Sequence, residues 1–204
     1  MNQELTVFVV DDDQAMRGSL HWLIESVGMR VETFDSAHTF LDAYDTGRAG
    51  CLLLDVRMPG MSGLELQEYL GRRAIRIPVI IITGHGDVAM AVKAMKAGAV
   101  DFIEKPFDDE QLLNSLRKAL EYDEQQRALQ TRKAEIAARL AELTPREHEV
   151  MAMVTDGKSN KEIAAALSVS AKTVEVHRAR VMDKTRADSL AELVRMAMIA
   201  STPP

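Results

Sequence analysis

Five polar side chains that suit phosphoryl chemistry each follow a short apolar run of the sequence. They are Asp11 and Asp12 after residues 7–10, Asp55 after residues 51–54, Thr83 after residues 79–82, and Lys105 after the run around residues 102–103. Carboxylates packed together repel one another and take up protons unless a divalent cation compensates their charge, and small sets of carboxylate oxygens suit Mg²⁺. An acidic cluster beside an amine and a hydroxyl therefore predicts a site for a phosphoryl group.

These side chains have distinct expected roles. The Asp55 carboxylate is the nucleophile, and its reaction gives an aspartyl phosphate. Mg²⁺ would bridge Asp12, Asp55 and a phosphoryl oxygen, while Lys105 holds a second oxygen and Thr83 donates a hydrogen bond to a third. A lone aspartate at a strand end is often only a solvated or capping group, so the prediction depends on the whole set.

The apolar runs must be strands that bring these side chains together. Runs such as Cys51-Leu-Leu-Leu54 are typical of strands buried on both faces of a parallel sheet, and stretches of helical periodicity separate them. This alternation predicts an α/β doubly wound, five-stranded parallel sheet, at whose carboxyl edge the polar groups meet. After Asp55, a Met-Pro-Gly loop leads to Ser62 and Glu65, a capping box that begins a helix.

From Thr144 onward the sequence predicts an all-helical region. Capping boxes begin helices at Thr144, Ser159 and Ser189, and residues 168–170 form a short turn of the helix-turn-helix type. The two helices around this turn present a face suited to a DNA major groove. Its basic residues Lys161, Lys172, Arg178 and Arg180 can reach phosphates, Val176 and Ala179 can approach bases, and Glu175 can accept from a cytosine amino group.

The ordered motifs resemble those of two-component response regulators of the LuxR/FixJ family. DDD at 11–13, DVRMPGMSG from 55, TGHGD from 83 and DFIEKPF from 101 resemble a flavodoxin-like receiver domain, and residues 159–184 resemble the LuxR-type helix-turn-helix. The resemblance implies that Asp55 is the phosphoacceptor and that Thr83 and Phe102 form a conformational switch pair. It also implies a cis peptide at Lys105-Pro106. The implied Mg²⁺ ligands are Asp11, Asp12, Asp55 and the backbone carbonyl of Arg57.

The same resemblance assigns individual DNA contacts. It implies backbone contacts for Lys161, Thr173, Arg178 and Lys184, and base reading for Glu175, Val176 and Ala179. The resulting domain prediction is a receiver at 1–121, a helical linker at 122–143 and a DNA-binding domain at 144–204. Two questions stay open from the sequence. The linker either pairs with its copy in a dimer, through a heptad seam that is only half apolar, or is a solvated connector. The apolar side chains of the fourth helix either pack in the core or form an interface.

Composition and charge limit the function classes. The chain is 47% hydrophobic with one cysteine, and no apolar run approaches the ~20 residues that span a bilayer, so we expect a cytoplasmic protein with no membrane partner. The single Cys51 is expected to be packed in the core. Residues 1–120 carry 12 basic and 18 acidic side chains, whereas residues 144–204 carry 9 and 8. DNA binding must therefore depend on where the basic residues lie.

The sequence predicts a phosphorylation-activated transcription regulator. A sensor histidine kinase phosphorylates Asp55, the receiver forms a homodimer, and the paired C-terminal domains bind promoter DNA beside RNA polymerase. The chain would not be an enzyme beyond its own phosphorylation and autodephosphorylation, whose rate Arg57 and His85 are expected to affect. One alternative is an Mg²⁺-dependent phosphohydrolase, but no segment is left to build a substrate pocket. A phosphorylation-independent interaction module conflicts with the intact set of polar residues.

Overall fold

The chain forms two compact units. The computed structural model describes residues 4–84 and 86–201, apart from the side chain of Ser201. The first unit covers Met1–Arg127 and the second covers Ala128–Pro204. The predicted combination of a parallel α/β domain and a helical C-terminal domain is confirmed. Within the described residues, no helix is both long and apolar enough to cross a membrane.

A five-stranded parallel sheet organises the first unit. Its strands are β1 (Thr6–Val10), β2 (Arg30–Phe34), β3 (Gly50–Asp55), β4 (Val79–Thr83) and β5 (Asp101–Glu104). The strand order is β2-β1-β3-β4-β5, and every pairing is parallel. The carboxyl ends of all five strands therefore lie at one edge, as a doubly wound sheet requires.

Helices cover both faces of this sheet. They are α1 (Gln14–Ser26), α2 (Ala37–Ala43), α3 (Gly63–Arg72), α4 (Val88–Lys96) and the long α5 (Asp109–Ala141). Because side chains alternate between the faces of a strand, β3 contributes Leu52 and Leu54 to one core and Cys51 and Leu53 to the other. Burial raises the pKa of the Cys51 thiol and keeps it protonated, which is consistent with a packing role.

The helix α5 continues without a break through the predicted linker. Its 33 residues run from Asp109 to Ala141. The linker positions Ile136 and Leu140 are buried in the core of the second unit, whereas Tyr122 and Leu129 are exposed. A dimer seam over three heptads would need all four of these side chains at the interface between two chains. Because Ile136 and Leu140 are already buried, only the first half of the seam, with Tyr122 and Leu129, is available for pairing.

The second unit is a small helical bundle. Its remaining helices are α6 (Pro145–Thr155), α7 (Asn160–Leu167), α8 (Ala171–Thr185) and α9 (Leu190–Ser201). The predicted capping boxes form at Thr144 with Glu147 and at Ser159 with Glu162. Ser168 adopts the left-handed conformation that ends α7, and Ser170 caps α8. The helices α7 and α8 with their three-residue turn thus have the predicted helix-turn-helix plan.

Candidate functional site

Lys105 lies between two carboxylates at the carboxyl edge of the sheet. Its ammonium donates to Asp11 Oδ2 at 2.8 Å and to Asp55 Oδ1 at 2.7 Å. Asp11 and Asp55 are buried, and Thr83, at the end of β4, is fully buried. The sheet thus brings Asp11, Asp55 and Lys105 into contact at the predicted edge, and the Lys105-Pro106 peptide is cis as the resemblance implied.

The backbone after β3 fixes the second oxygen of Asp55. Its Oδ2 accepts from the Arg57 N–H at 2.7 Å. The loop then returns to the strand, because the Gly63 N–H donates to the Val56 carbonyl at 3.0 Å. A Cβ on Gly63 would lie 2.1 Å from the Asp55 carbonyl oxygen, so only glycine allows α3 to begin this close to the strand.

Burial and charge have opposing effects on the pKa values of Asp55 and Lys105. Burial raises the pKa of Asp55 and the nearby Asp11 charge adds to the rise, which together outweigh the opposing hydrogen bond from Lys105. Burial alone would lower the pKa of Lys105, but its bonds to Asp11 and Asp55 outweigh burial and raise that pKa. The Lys105 ammonium therefore stays protonated, and it lies beside the Asp55 carboxylate, which is poorly solvated.

The residues at this edge have the oxygen chemistry of a magnesium site. Asp12 is exposed and makes no hydrogen bond or ion pair within the described residues, so its carboxylate is available. Asp13 instead caps α1 by accepting from the Ala15 and Met16 N–H groups. Among the described residues, no three acidic, histidine or cysteine side chains are grouped closely enough to hold a metal. The Lys105 ammonium lies between Asp11 and Asp55. Apart from this ammonium, the side chains at this edge offer the hard oxygen ligands that Mg²⁺ prefers.

Thr83 and Phe102 both lie close to Gly86. A Cβ on Gly86 would lie 3.0 Å from the Phe102 ring and 3.3 Å from the Thr83 methyl group. Phe102 is half-buried and packs against one of the two cores of the sheet. His85, expected to affect phosphoryl lifetime, lies outside the described residues. The expected switch pair thus shares one contact region at the start of the loop to α4.

The apolar face of α4 is mostly exposed. Val88, Val92 and Met95 are 81%, 45% and 47% exposed, and only Ala94 of this helix is buried. Helical spacing places these three side chains on one side. The sequence left two interpretations of α4 open, core packing and an interface. Core packing accounts for Ala94 and the partly buried Met90, and the exposed apolar side chains are available for an interface.

The predicted groove-facing surface of α8 is largely solvent-exposed. Its exposed members, with Lys161 of α7, are Lys172, Glu175, Val176, Ala179 and Arg180. Val174 and Val181, on the opposite side of α8, are buried in the core. This surface combines small side chains with cations, which is the arrangement that close approach to a groove requires.

Five of the residues expected to contact DNA already have partners within the protein, and two of them, Lys172 and Glu175, pair with each other at 3.5 Å on the exposed face. Arg178 is half-buried rather than fully outward and donates to Asn160 Oδ1 at 2.7 Å. Lys184 pairs with the buried Glu147 at 2.7 Å, and the Thr173 hydroxyl lies 2.8 Å from Ser170 Oγ. The sequence analysis missed Asn160 and the Glu147 pair, because such side-chain pairs leave no periodic signal.

Comparisons with known proteins cover nearly the whole chain. The model of the response regulator receiver domain matches residues 7–117, and that of the bacterial regulatory proteins of the luxR family matches residues 141–197. The transcriptional regulatory protein FixJ of Azorhizobium caulinodans is 48% identical over all of this chain and 97% of its own length. The response regulator protein TodT of Pseudomonas putida is 45% identical over 93% of this chain and 84% of its own length.

Solved structures agree with these sequence matches. The response regulator StyR superposes with a TM-score of 0.87 at 44% identity, covering 96% of this chain and 98% of StyR. The crystal structure of full-length FixJ from B. japonicum superposes with a TM-score of 0.60 at 46% identity. The match covers the whole length of both chains. Both the fold and the order of the two domains are thus shared with response regulators.

Proposed function

This chain belongs to the LuxR/FixJ family of two-component response regulators, and we propose that its switch operates through Asp55, which accepts a phosphoryl group from a sensor histidine kinase. The chain is a transcription regulator and not a classical enzyme. The observation that carries the proposal is the environment of Asp55. One of its carboxylate oxygens accepts from Lys105 and the other from the backbone of Arg57, at the strand edge where ligands bind.

The chain's own chemistry is limited to this carboxylate. An Asp55 oxygen attacks the phosphorus atom of the donor, an O–P bond forms, and the bond to the donor's leaving group breaks. Lys105 holds one phosphoryl oxygen by charge, and Thr83 donates its hydroxyl to another. Attack by water later releases phosphate and restores the Asp55 carboxylate.

We assign the Mg²⁺ of this reaction to one set of oxygens. The groups that would hold the ion are the carboxylates of Asp11, Asp12 and Asp55 and the backbone carbonyl of Arg57. When bound, the ion supplies positive charge that neutralises the phosphoryl oxygens. The buried Asp11 and the available Asp12 support this set, because the single charge of Lys105 does not offset three carboxylates at one edge, and a divalent cation would neutralise the remainder.

Phosphorylation reaches the rest of the chain through Thr83, Phe102 and α4. Movement of Thr83 toward the phosphoryl group frees space beside Gly86, and the Phe102 ring turns into it. The exposed α4 residues Val88, Val92 and Met95 then form part of a homodimer face. An apolar stripe on a helix with few buried residues supports this assignment, since such stripes commonly mark interaction surfaces.

Dimers of the receiver bring two C-terminal domains onto neighbouring promoter half-sites in the cytoplasm, where they act with RNA polymerase. In this proposal the phosphate contacts come from Lys161, Lys172, Thr173, Arg178, Arg180 and Lys184, and the base contacts come from Glu175, Val176 and Ala179. Arg178 and Lys184 would exchange or share their present partners when they bind DNA. Two linked half-sites raise affinity over one small domain, which explains why dimerisation matters.

One experiment tests the whole proposal. The full chain and Asp55→Asn are incubated with acetyl phosphate and MgCl₂, followed by intact mass and binding to a duplex selected from random-sequence DNA by the treated wild type. We expect one phosphoryl adduct and tighter binding in wild type, and neither in Asp55→Asn. Equal DNA binding in all samples would indicate that the receiver is an interaction module that acts without phosphorylation. Rapid turnover of acetyl phosphate without altered DNA binding would favour the phosphohydrolase alternative.

A further inference from the structure

The helix α4 is held to the first unit by few buried groups. Ala94 is its only buried residue, whereas α3 buries Gly63, Leu66, Gln67 and Leu70. Burial of apolar area is the main stabilising contribution to helix packing. Polar contacts therefore have a large share in fixing the position of α4.

Two side chains of α3 make polar contacts with α4. Glu68 accepts from the Lys93 ammonium at 3.0 Å, but Lys93 is exposed and Glu68 is partly exposed, and pairs in contact with solvent contribute little. Gln67 is only 5% exposed, and its Nε2 donates to the Ala94 carbonyl at 3.0 Å. The Gln67 bond is thus the buried polar contact between the two helices.

The Ala94 carbonyl marks the end of α4. It also accepts from the Ala99 N–H at 3.0 Å, which closes the helix around Gly98 in the left-handed region. The chain then enters β5, where Phe102 lies. Gln67 therefore holds the corner through which α4 is joined to the proposed switch residue.

The Gln67 side chain is only half satisfied. Its Oε1 is buried and has no hydrogen-bond partner among the described residues. A buried acceptor without a partner offsets much of what the other half of the amide gains. The contact is therefore specific in geometry but small in net free energy, which suits a bond that must break.

We propose that Gln67 is a positioning residue of the phosphorylation switch. Its amide holds the C-terminal end of α4 in the unphosphorylated arrangement, and the bond to the Ala94 carbonyl breaks when the face formed by α4 and β5 rearranges. This inference rests on the proposed function. An interaction made in only one of two states shifts their equilibrium by its own free energy, so removing it favours the phosphorylated arrangement.

Gln67→Met and Gln67→Leu test this role, because both replace the amide with an apolar side chain of similar size. The Ala94 carbonyl keeps its bond from Ala99, so neither variant leaves it unpaired. Glu68→Gln is the matched control, since it removes the exposed contact between the same helices. Each full chain is measured with and without acetyl phosphate and MgCl₂, using the duplex selected by the phosphorylated wild type.

We expect the unphosphorylated Gln67 variants to bind the duplex about twofold more tightly than unphosphorylated wild type, because the bond that they lack is weak in net free energy. Their phosphorylated forms should match phosphorylated wild type. Amide hydrogen exchange at residues 97–99 should accelerate without a matching loss of overall stability, which a purely structural role would not produce. Glu68→Gln should behave as wild type.

Two results would overturn the inference, and they differ. If wild type responds to acetyl phosphate while the unphosphorylated Gln67 variants bind no more tightly than wild type, Gln67 has no positioning role. If wild type itself shows no response, the proposed function fails, and the inference fails with it. The wild-type samples alone separate the second result from the first.

Discussion

The Lys105 ammonium lies 2.7 Å from Asp55 Oδ1, and it makes a second bond to Asp11. It therefore occupies the space between two carboxylates that a divalent cation would also neutralise. We expect Lys105→Met to bind Mg²⁺ more tightly, because a repelling charge is removed, yet to be phosphorylated by acetyl phosphate about tenfold or more slowly, because a phosphoryl oxygen loses its cation. Calorimetry with MgCl₂ and intact mass over time measure the two effects.

Lys96→Met provides the control for this pair of measurements. Lys96 is an exposed lysine of α4, so its removal changes the net charge equally without touching the site. Weaker Mg²⁺ binding in Lys105→Met would show that the ammonium does not compete with the metal.

Arg57 is expected to affect the lifetime of the phosphoryl group. Its backbone N–H donates to Asp55 Oδ2, whereas its side chain is exposed beside the site. Arg57→Ala keeps the backbone bond, so Mg²⁺ affinity should stay within about twofold, while autodephosphorylation should change by about three- to fivefold as attacking water is reoriented. Loss of the adduct over time measures the rate. Identical decay in Arg57→Ala and wild type would remove this role.

The site was largely predictable because its parts depend on local sequence. Each apolar run fixes a strand, and parallel pairing then places Asp11, Asp55 and Lys105 at one edge without further information. Side-chain partners were not predictable in the same way. Glu147 and Lys184 are 37 positions apart, and Arg178 turns toward Asn160 from a helix face that periodicity alone assigns to solvent. Such pairs depend on tertiary packing, for which a single sequence has no periodic signal.

A buried carboxylate, paired with a partly exposed arginine, anchors α5 to the start of β3. The Asp123 carboxylate is 2% exposed and accepts from the Gly50 N–H at 2.9 Å and from Arg127 Nε at 2.7 Å. Asp123→Ala would leave the Gly50 N–H and the Arg127 Nε–H without their acceptor and would remove the charge that balances this guanidinium, which keeps its bonds to the carbonyls of Gly47 and Arg48. We expect a loss of about 3 kcal/mol or more in the free energy of unfolding of the first unit, measured by denaturant titration of the full chain.

The matched control for this loss is Asp45→Ala in the loop before β3. Asp45 is exposed and accepts from the Gly47 N–H, so its removal should cost less than about 1 kcal/mol. Equal stabilities of Asp123→Ala and Asp45→Ala would show that the buried carboxylate contributes nothing beyond an ordinary turn contact.

Glu147 gives the second unit a pH-dependent stability. The Lys184 ammonium and the Thr144 backbone N–H lower the pKa of Glu147 to about 2. Because the folded pKa lies below the unfolded value of about 4.3, this contribution is present above the unfolded pKa and is lost as the pH falls toward 2. Glu147→Gln should lower the Tm of the second unit at pH 6, and its difference from wild type should shrink between about pH 4.5 and 2.

Glu162→Gln is the control for this pH dependence. Glu162 occupies the same capping-box position at the start of α7, but hydrogen bonds from Ser159 are the main cause of its lowered pKa, and the Lys158 charge contributes least. Its Tm difference from wild type should therefore be smaller and vary less with pH. A difference for Glu147→Gln that stays constant from pH 6 to 2.5 would contradict the assigned cause.

Arg180 should contribute to DNA affinity through position and not through net charge. It is exposed on α8 within the groove-facing surface, whereas Arg195 is equally exposed on α9 outside that surface. We expect Arg180→Ala to weaken binding to specific and non-specific duplexes alike and to reduce the slope of log affinity against log salt by about 1, because one phosphate contact is lost. Arg195→Ala removes the same charge and should leave the slope unchanged. Equal slopes for both variants would place the DNA contact elsewhere than on α8, since only a phosphate-contacting cation releases a counterion on binding.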